Sequence, residues 1–449
     1  MSVNRSEGYL TSLAQRAFLK FWSFPNLSSK RGKELSDLLV VFGEDILIFS
    51  DKDCNLATDV DRELSWSRWY RHAVHESALQ AIGASRWIRR NPDKIFRDAN
   101  CTTPMEIPIS PTARIHHILT VRGAASAARS EWGGRGSLVV TNRPLDACSS
   151  VPFWLGARDA SGVLFHVIDE VALDAVLQTL DTAADFITYI RRREHFFLSA
   201  PDVVAASEED LLGLYLMSYT QATNRLDFPH ATGPVVVDGS HWDAWLASPQ
   251  HKARQSANEI SYVWDELIEA SAQHAVEGTQ EFTSATTLAE HERLLRWLSR
   301  ETRFRRRILS QNLVEMLQAT QPGQERRRYQ TPEDDGDPYW ILLVLPPPPD
   351  VPYEKYRVDR RTRLEQLTYV VKYLHPEARD IVGLAVGEDE SGSSQDAICL
   401  DCTDFPEELL EVGRRLHEER GYFASGRILR QKHWDYPVEE SAAVTAGER

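Results

Sequence analysis

Apolar residues along this chain recur either every three to four positions or in short unbroken runs, and the order of these two patterns lays out its elements. Over 9–22, Leu10, Leu13, Ala14, Ala17, Phe18, Phe21 and Trp22 form one apolar helical face, closed by Pro25 and Asn26. A polar, basic loop over 28–33 leads into two apolar runs, predicted as strands over 38–42 and 46–49 with a turn at Gly43, Glu44 and Asp45. A long amphipathic helix is predicted over 63–90. Its stripe holds Trp66, Ala73, Gln80 and Trp87 at seven-residue spacing, with Trp69, Tyr70, Val74, Ser77 and Ala84 filling in. Gln80 is thus an amide on an apolar face, and a buried amide needs a partner, either a neighbour such as Asp37 or Lys52 or a loop carbonyl. Strands follow over 115–121, 137–141 and 163–168, then helices over 170–177 and 179–196. His116 and His117 are neighbours in a strand, so they point to opposite faces and read as structural residues, with metal binding the lesser alternative.

From 207 to 320 the spacing is mostly helical, with long segments over 258–272 and 288–318. The second carries Arg293, Arg296, Arg300, Arg303, Arg305, Arg306 and Arg307, interleaved with Trp297 and Phe304. It is a candidate surface for a phosphate backbone or an acidic partner, centred on Arg296, Arg300, Arg303, Arg306 and Arg307. The competing reading is a helix whose arginines pair with Glu290, Glu292, Glu301 and Glu315. A charged linker over 321–337, a strand over 339–345 and a polyproline spacer at 346–349 come next. A small α/β unit then shows a helix over 356–374, a strand over 381–386, a loop over 387–395, a strand over 397–400 and a helix over 406–420. The pattern predicts a mixed α/β protein with an α/β domain at 1–200, a helical domain at 201–337, a small α/β domain at 338–435 and a disordered tail at 436–449.

Length and composition add bounds to this picture. The chain has 449 residues, 42% hydrophobic and 26% charged, which is the make-up of a folded globular protein with several cores. The absence of a long apolar stretch predicts neither a membrane span nor a signal peptide, and five scattered cysteines point to reduced thiols in a cytoplasm. Cys399 and Cys402 form a C-x-x-C without a second pair of ligands nearby, which disfavours zinc. No P-loop, nucleophile elbow or H-E-x-x-H is present. The net charge of −15 weighs against avid nucleic-acid binding by the whole surface, since neutralising phosphates needs a basic face. A local basic groove, or a partner that delivers substrate, would meet that need.

The chemistry concentrates between Gly32 and Lys52. Asp37 opens the first predicted strand and Lys52 closes the second, with Glu34 one loop step earlier. Hydrolysis of a phosphodiester needs carboxylates to hold a divalent ion and a cation to assist the nucleophile or the phosphate. At these residues the chain resembles the PD-(D/E)XK nuclease superfamily, and particularly its Mrr-like and nuclease-related-domain branches. Asp37 matches the first aspartate, Lys52 the lysine, and Glu34 the upstream glutamate more loosely. Ser50 stands where the second acid of the family should be. Asp51 could replace it if a bulge turned that side chain inward.

The resemblance covers about residues 9 to 90 and implies a restriction-endonuclease-like mixed sheet flanked by helices. It also implies a helix before the first strand and, after the hairpin, a helix bringing Gln80 to the site. The activity implied is Mg2+- or Mn2+-dependent cleavage of DNA. Asp37, with Glu34 or Asp51, would hold the ion, and Lys52 would orient or deprotonate the attacking water. Lacking an ATPase motif, such an enzyme would work with a protein partner, in a bacterial DNA-processing or defence assembly. The other expectation is a scaffold of the same fold that lost its ligand at Ser50 and serves as a protein-interaction module.

Overall fold

The computed structural model describes residues 5–219, 225–278, 288–332, 336–389, 392–424 and 434–436. The fold is mixed α/β, with three mixed sheets flanked by helices. It divides into two compact units, 1–257 with 434–449, and 258–433.

The first unit opens with α1 (Arg5–Trp22), followed by β1 (Ser23–Lys30), β2 (Lys33–Phe42) and β3 (Asp45–Asp53). Every apolar residue of the predicted α1 face is buried, from Leu10 to Trp22. The three strands form an antiparallel meander. β1 corrects the sequence expectation of a helix stop and a loop at these positions. It is the edge strand of its sheet, where Pro25 and polar residues are tolerated because one row of backbone donors needs no ladder partner.

The connection to the next strand carries one long helical run between two irregular stretches: α2 (Arg62–Tyr70), a π-helical turn over Arg71–His75, and α3 (Glu76–Arg90). Then come β4 (Arg114–Arg122), α4 (Ala125–Trp132), β5 (Val139–Thr141), α5 (Leu145–Cys148), β6 (Trp154–Leu155) and β7 (Phe165–Asp169). The main sheet has the order β1-β2-β3-β4-β7, with β3, β4 and β7 parallel. α3 covers the face of this sheet presented by β2, β3 and β4, while α1 covers the other, where Phe18 meets Phe49.

The rest of the unit comprises α6 (Glu170–Thr179), α7 (Ala183–Ser199), β8 (Val203–Ala205), α8 (Glu208–Met217), β9 (Val235–Val237), α9 (His241–Ala247) and α10 (Pro249–Asn258). A boundary near 200 would cut a sheet, because β8 and β9 complete the order β6-β5-β8-β9. Residues 434 and 435, expected in the small α/β domain, group with the first unit, and Tyr436 differs from the predicted tail. Tyr436 is buried and donates its hydroxyl to the Leu216 carbonyl at 2.6 Å, and Asp435 pairs with Arg254 at 3.2 Å. Residues 437–449 lie outside the described residues.

The second unit holds α11 (Tyr262–Glu277), α12 (Leu288–Ser299), α13 (Arg303–Gln318), β10 (Arg326–Gln330), β11 (Tyr339–Val344), α14 (Tyr353–Leu374), β12 (Asp380–Asp389), β13 (Gly392–Asp401) and α15 (Glu407–Arg420). Its sheet runs β10-β11-β12-β13, with β11 and β12 parallel and α14 as their crossover. β11 is buried at every position, as a strand covered on both faces must be. α15 packs on α14 so closely at Gly413 that a Cβ there would lie 2.3 Å from the Tyr369 carbonyl oxygen. Two predicted connections are strands instead: β10 lies inside the expected linker, and the β12–β13 hairpin extends into the expected loop at 387–395.

Candidate functional site

β2 and β3 set the geometry of the expected nuclease site. Leu38 pairs with Phe49 at the end of the β2–β3 ladder, and strand alternation puts the next residues, Asp37 and Ser50, on one side of the two strands. Ser50 and Lys52 share a face of β3, which α3 covers. There the Ser50 hydroxyl donates to Gln80 Oε1 at 3.3 Å. The helix that the resemblance implies therefore brings Gln80 to this site, onto Ser50. Asp37 is buried, and its Oδ2 accepts the Asp51 backbone N–H at 2.6 Å.

Asp51 does not join this group. β3 pairs with β4 from Asp45 to Asp53 without a register shift, so no bulge re-aims Asp51. Its carboxylate lies on the α1 side, where it accepts from Thr120 Oγ1 and from Arg122 Nε, the latter at 3.2 Å. The guanidinium of Arg122 in turn lies over the Tyr9 ring of α1, 5.7 Å from its centroid. Glu34 is exposed and pairs with Ser28 beyond the skipped residue Leu35, where the β1–β2 register shifts.

The face under α3 thus brings together the Asp37 carboxylate, the Ser50 hydroxyl, the Gln80 amide and Lys52. Mg2+ and Mn2+ are held through hard oxygens in which carboxylate charge offsets the cost of dehydration. With Asp37 already accepting a backbone N–H, Ser50 where a second acid would stand and a lysine on the same face, the strand pair itself offers a poor fit to such an ion.

A second polar cluster lies across the sheet, and only the fold assembles it. His116 Nδ1 is 2.6 Å from Glu194 Oε1 and its Nε2 is 3.0 Å from Asp45 Oδ1. His166 Nε2 is 3.2 Å from the same Glu194 oxygen, and Arg193 Nη1 lies 3.0 Å from His166 Nδ1. His117 points the other way and packs against Phe165. His116, His166 and Glu194 are spaced as three ligands of one metal ion could be.

The hydrogen bonds argue against an ion there. Arg193 can only donate, so His166 Nδ1 must accept, and the proton of the neutral ring sits on Nε2. That nitrogen has no lone pair to offer a metal. Arg193 is itself fixed by Glu208, with Nε to Oε1 and Nη2 to Oε2 both at 2.8 Å. Burial pushes the pKa of His166 down to about 4, and the charge of Arg193 acts in the same direction. Burial works against the His116 imidazolium, but its bonds to Asp45 and Glu194 outweigh this and hold its pKa above the ordinary 6.5. Burial likewise opposes the Glu194 carboxylate, and the two histidines still hold its pKa well below the usual range. The cluster is a closed chain of donors and acceptors. His116 was visible in the sequence, but Asp45, His166, Arg193 and Glu194 carry no spacing that links them to it.

The arginines of the predicted basic surface are largely internal. Arg303 and Arg306 are buried and share Asp265, at 2.8 and 2.6 Å. Arg307 is buried beside Asn258 and the Phe304 ring. Arg296 and Arg300 keep partial exposure, near Glu292 and Asp337 respectively. Thr302 caps α13 and separates it from α12, so the seven arginines do not line one helix.

No family model, curated protein or solved structure matches the chain.

Proposed function

We propose that the first unit is a nuclease-like scaffold that does not hydrolyse phosphodiesters and acts through its surfaces as an interaction module. The observation that carries this reading is the Ser50–Gln80 hydrogen bond, formed at the position where a second metal-binding acid would stand. The order of helix, hairpin and Gln80-bearing helix supports a nuclease-like core, while the charge on its site face supports the loss of chemistry. The reading of a Mg2+- or Mn2+-dependent deoxyribonuclease keeps one supporting observation, Asp37 and Lys52 on a common face.

Incubating the purified full chain with supercoiled and linear DNA separates the two. The scaffold reading expects no metal-dependent cutting. Cutting that Asp37→Ala and Lys52→Ala both abolish would overturn it. Ser50→Glu adds the missing carboxylate opposite Asp37, and calorimetry should then detect Mn2+ binding that the wild type lacks. Equal Mn2+ binding by both proteins would show that Ser50 is not what keeps the ion out.

A further inference from the structure

One edge of the first unit is strongly basic in an otherwise acidic chain. Residues 28–33 and 86–97 hold eight lysines and arginines against one acid, while the whole chain carries −15. The fold brings these two segments together. At the tip of the β1–β2 hairpin, Gly32 takes a φ of +68° that a side chain would oppose, and Lys30, Arg31 and Lys33 stand exposed around it. The tip is tied to the segment after α3: Ser28 N donates to Phe96 O at 2.8 Å, and Gly32 N to Ala99 O at 2.8 Å. Lys30 Nζ sits 5.1 Å from the Trp87 ring centroid, and the same indole donates to Lys94 O at 3.0 Å.

On the outer face of α3, Arg86, Arg89 and Arg90 follow the three- and four-residue spacing that aligns side chains on one stripe. Nearby acids are largely committed: Glu106 pairs with Arg97 at 2.7 Å, and Asp98 accepts the backbone N–H groups of Asn100, Thr102 and Thr103. The exposed acids Glu34 and Asp93 also border this edge, and Arg31, Lys33, Arg86, Arg90 and Lys94 stand exposed on it.

We propose that this edge is a docking surface for the phosphodiester backbone of duplex nucleic acid, gripped without base specificity. Arginine predominates among the cations, and its planar fork suits phosphate oxygens. The cations stand on a hairpin and a helix whose backbones are bonded to each other's surroundings, so little order is lost on contact. None of the exposed large apolar side chains falls within these two segments, which a membrane-inserting surface would need. Trp87 is engaged by Lys30 and Lys94, whereas a single-strand platform would present a free aromatic face.

The test is fluorescence anisotropy of the full chain with a labelled duplex of about 25 base pairs and mixed sequence, as DNA and as RNA, in EDTA at about 50 to 200 mM salt. The wild type should bind one or both duplexes, which identifies the natural backbone, and affinity should fall linearly with salt on a log–log plot. The triple variant Lys33→Gln, Arg86→Gln, Arg90→Gln should bind about tenfold or more weakly at low salt, with a slope shallower by about two to three. Arg300→Gln should bind as the wild type does, and unchanged thermal melting certifies the fold of each variant. The proposal is overturned if folded wild type binds neither duplex, if the triple variant matches it, or if only anionic vesicles or polyglutamate are retained. Because EDTA removes metal and Ser50 is not involved, failure here leaves the scaffold reading untouched, and the cleavage assay leaves this one untouched.

Discussion

At Ser50 and Asp51, one position along a strand decides which side chain reaches the site face and which is locked in the core. Alternation sends Ser50 toward α3 and Asp51 toward α1, where its side chain is fully shielded and paired with Arg122, itself only 11% exposed. Removing one partner of a buried ion pair strands the other, so Asp51→Ala should destabilise the first unit by about 3 kcal/mol in urea unfolding. Ser50→Ala loses one long hydrogen bond and should cost about 1 kcal/mol or less. The reverse order would mean that Asp51 is not the structural residue of the two. Asp37 and Gln80 could be placed from the sequence because strand alternation and a helical stripe act over short distances. The His116 network could not, because Asp45, His166 and the neighbouring Arg193 and Glu194 reach it from three other places in the chain.

The same contrast holds for whole elements. α1 and α3 were legible because each buries a stripe of its own apolar residues. β1 and β10 were not, since both are edge strands, with Pro25 in one and Arg326 to Arg328 in the other, held largely by a neighbour's backbone. The arginines of α13 misled for a related reason: spacing gives a helical face but not what covers it. Asp265 of α11 covers Arg303 and Arg306, whose side chains are 3% and 2% exposed. Asp265→Ala leaves two buried guanidinium groups without their carboxylate, and denaturation of the second unit should show a loss of about 3–5 kcal/mol. Arg300→Ala, half-exposed at its ion pair, should change stability by less than about 1 kcal/mol. Comparable small losses in both would restore α13 as a candidate binding surface.

For the molecule as a whole, the buried network predicts how stability follows pH. His116 has a folded pKa above its ordinary 6.5, so its imidazolium contributes stability that is complete below that value and is lost as pH rises through the raised one. His166 has the opposite sign. Its folded pKa of about 4 means that acid, by protonating this residue more readily in the unfolded chain, removes stability as pH falls below the ordinary 6.5. Unfolding free energies of wild type and His116→Gln should therefore differ most below the ordinary 6.5 and converge as pH rises above it, changing by at most about 1.4 kcal/mol per pH unit. His166→Gln should instead escape part of the acid loss seen in the wild type. A pH-independent gap for both variants would show that neither ring changes its proton affinity on folding. EDTA discriminates once more: a network closed by Arg193 and Glu208 should melt at the same temperature with and without chelator, whereas a metal bound by His116, His166 and Glu194 would add its binding energy to the fold and lose it on chelation.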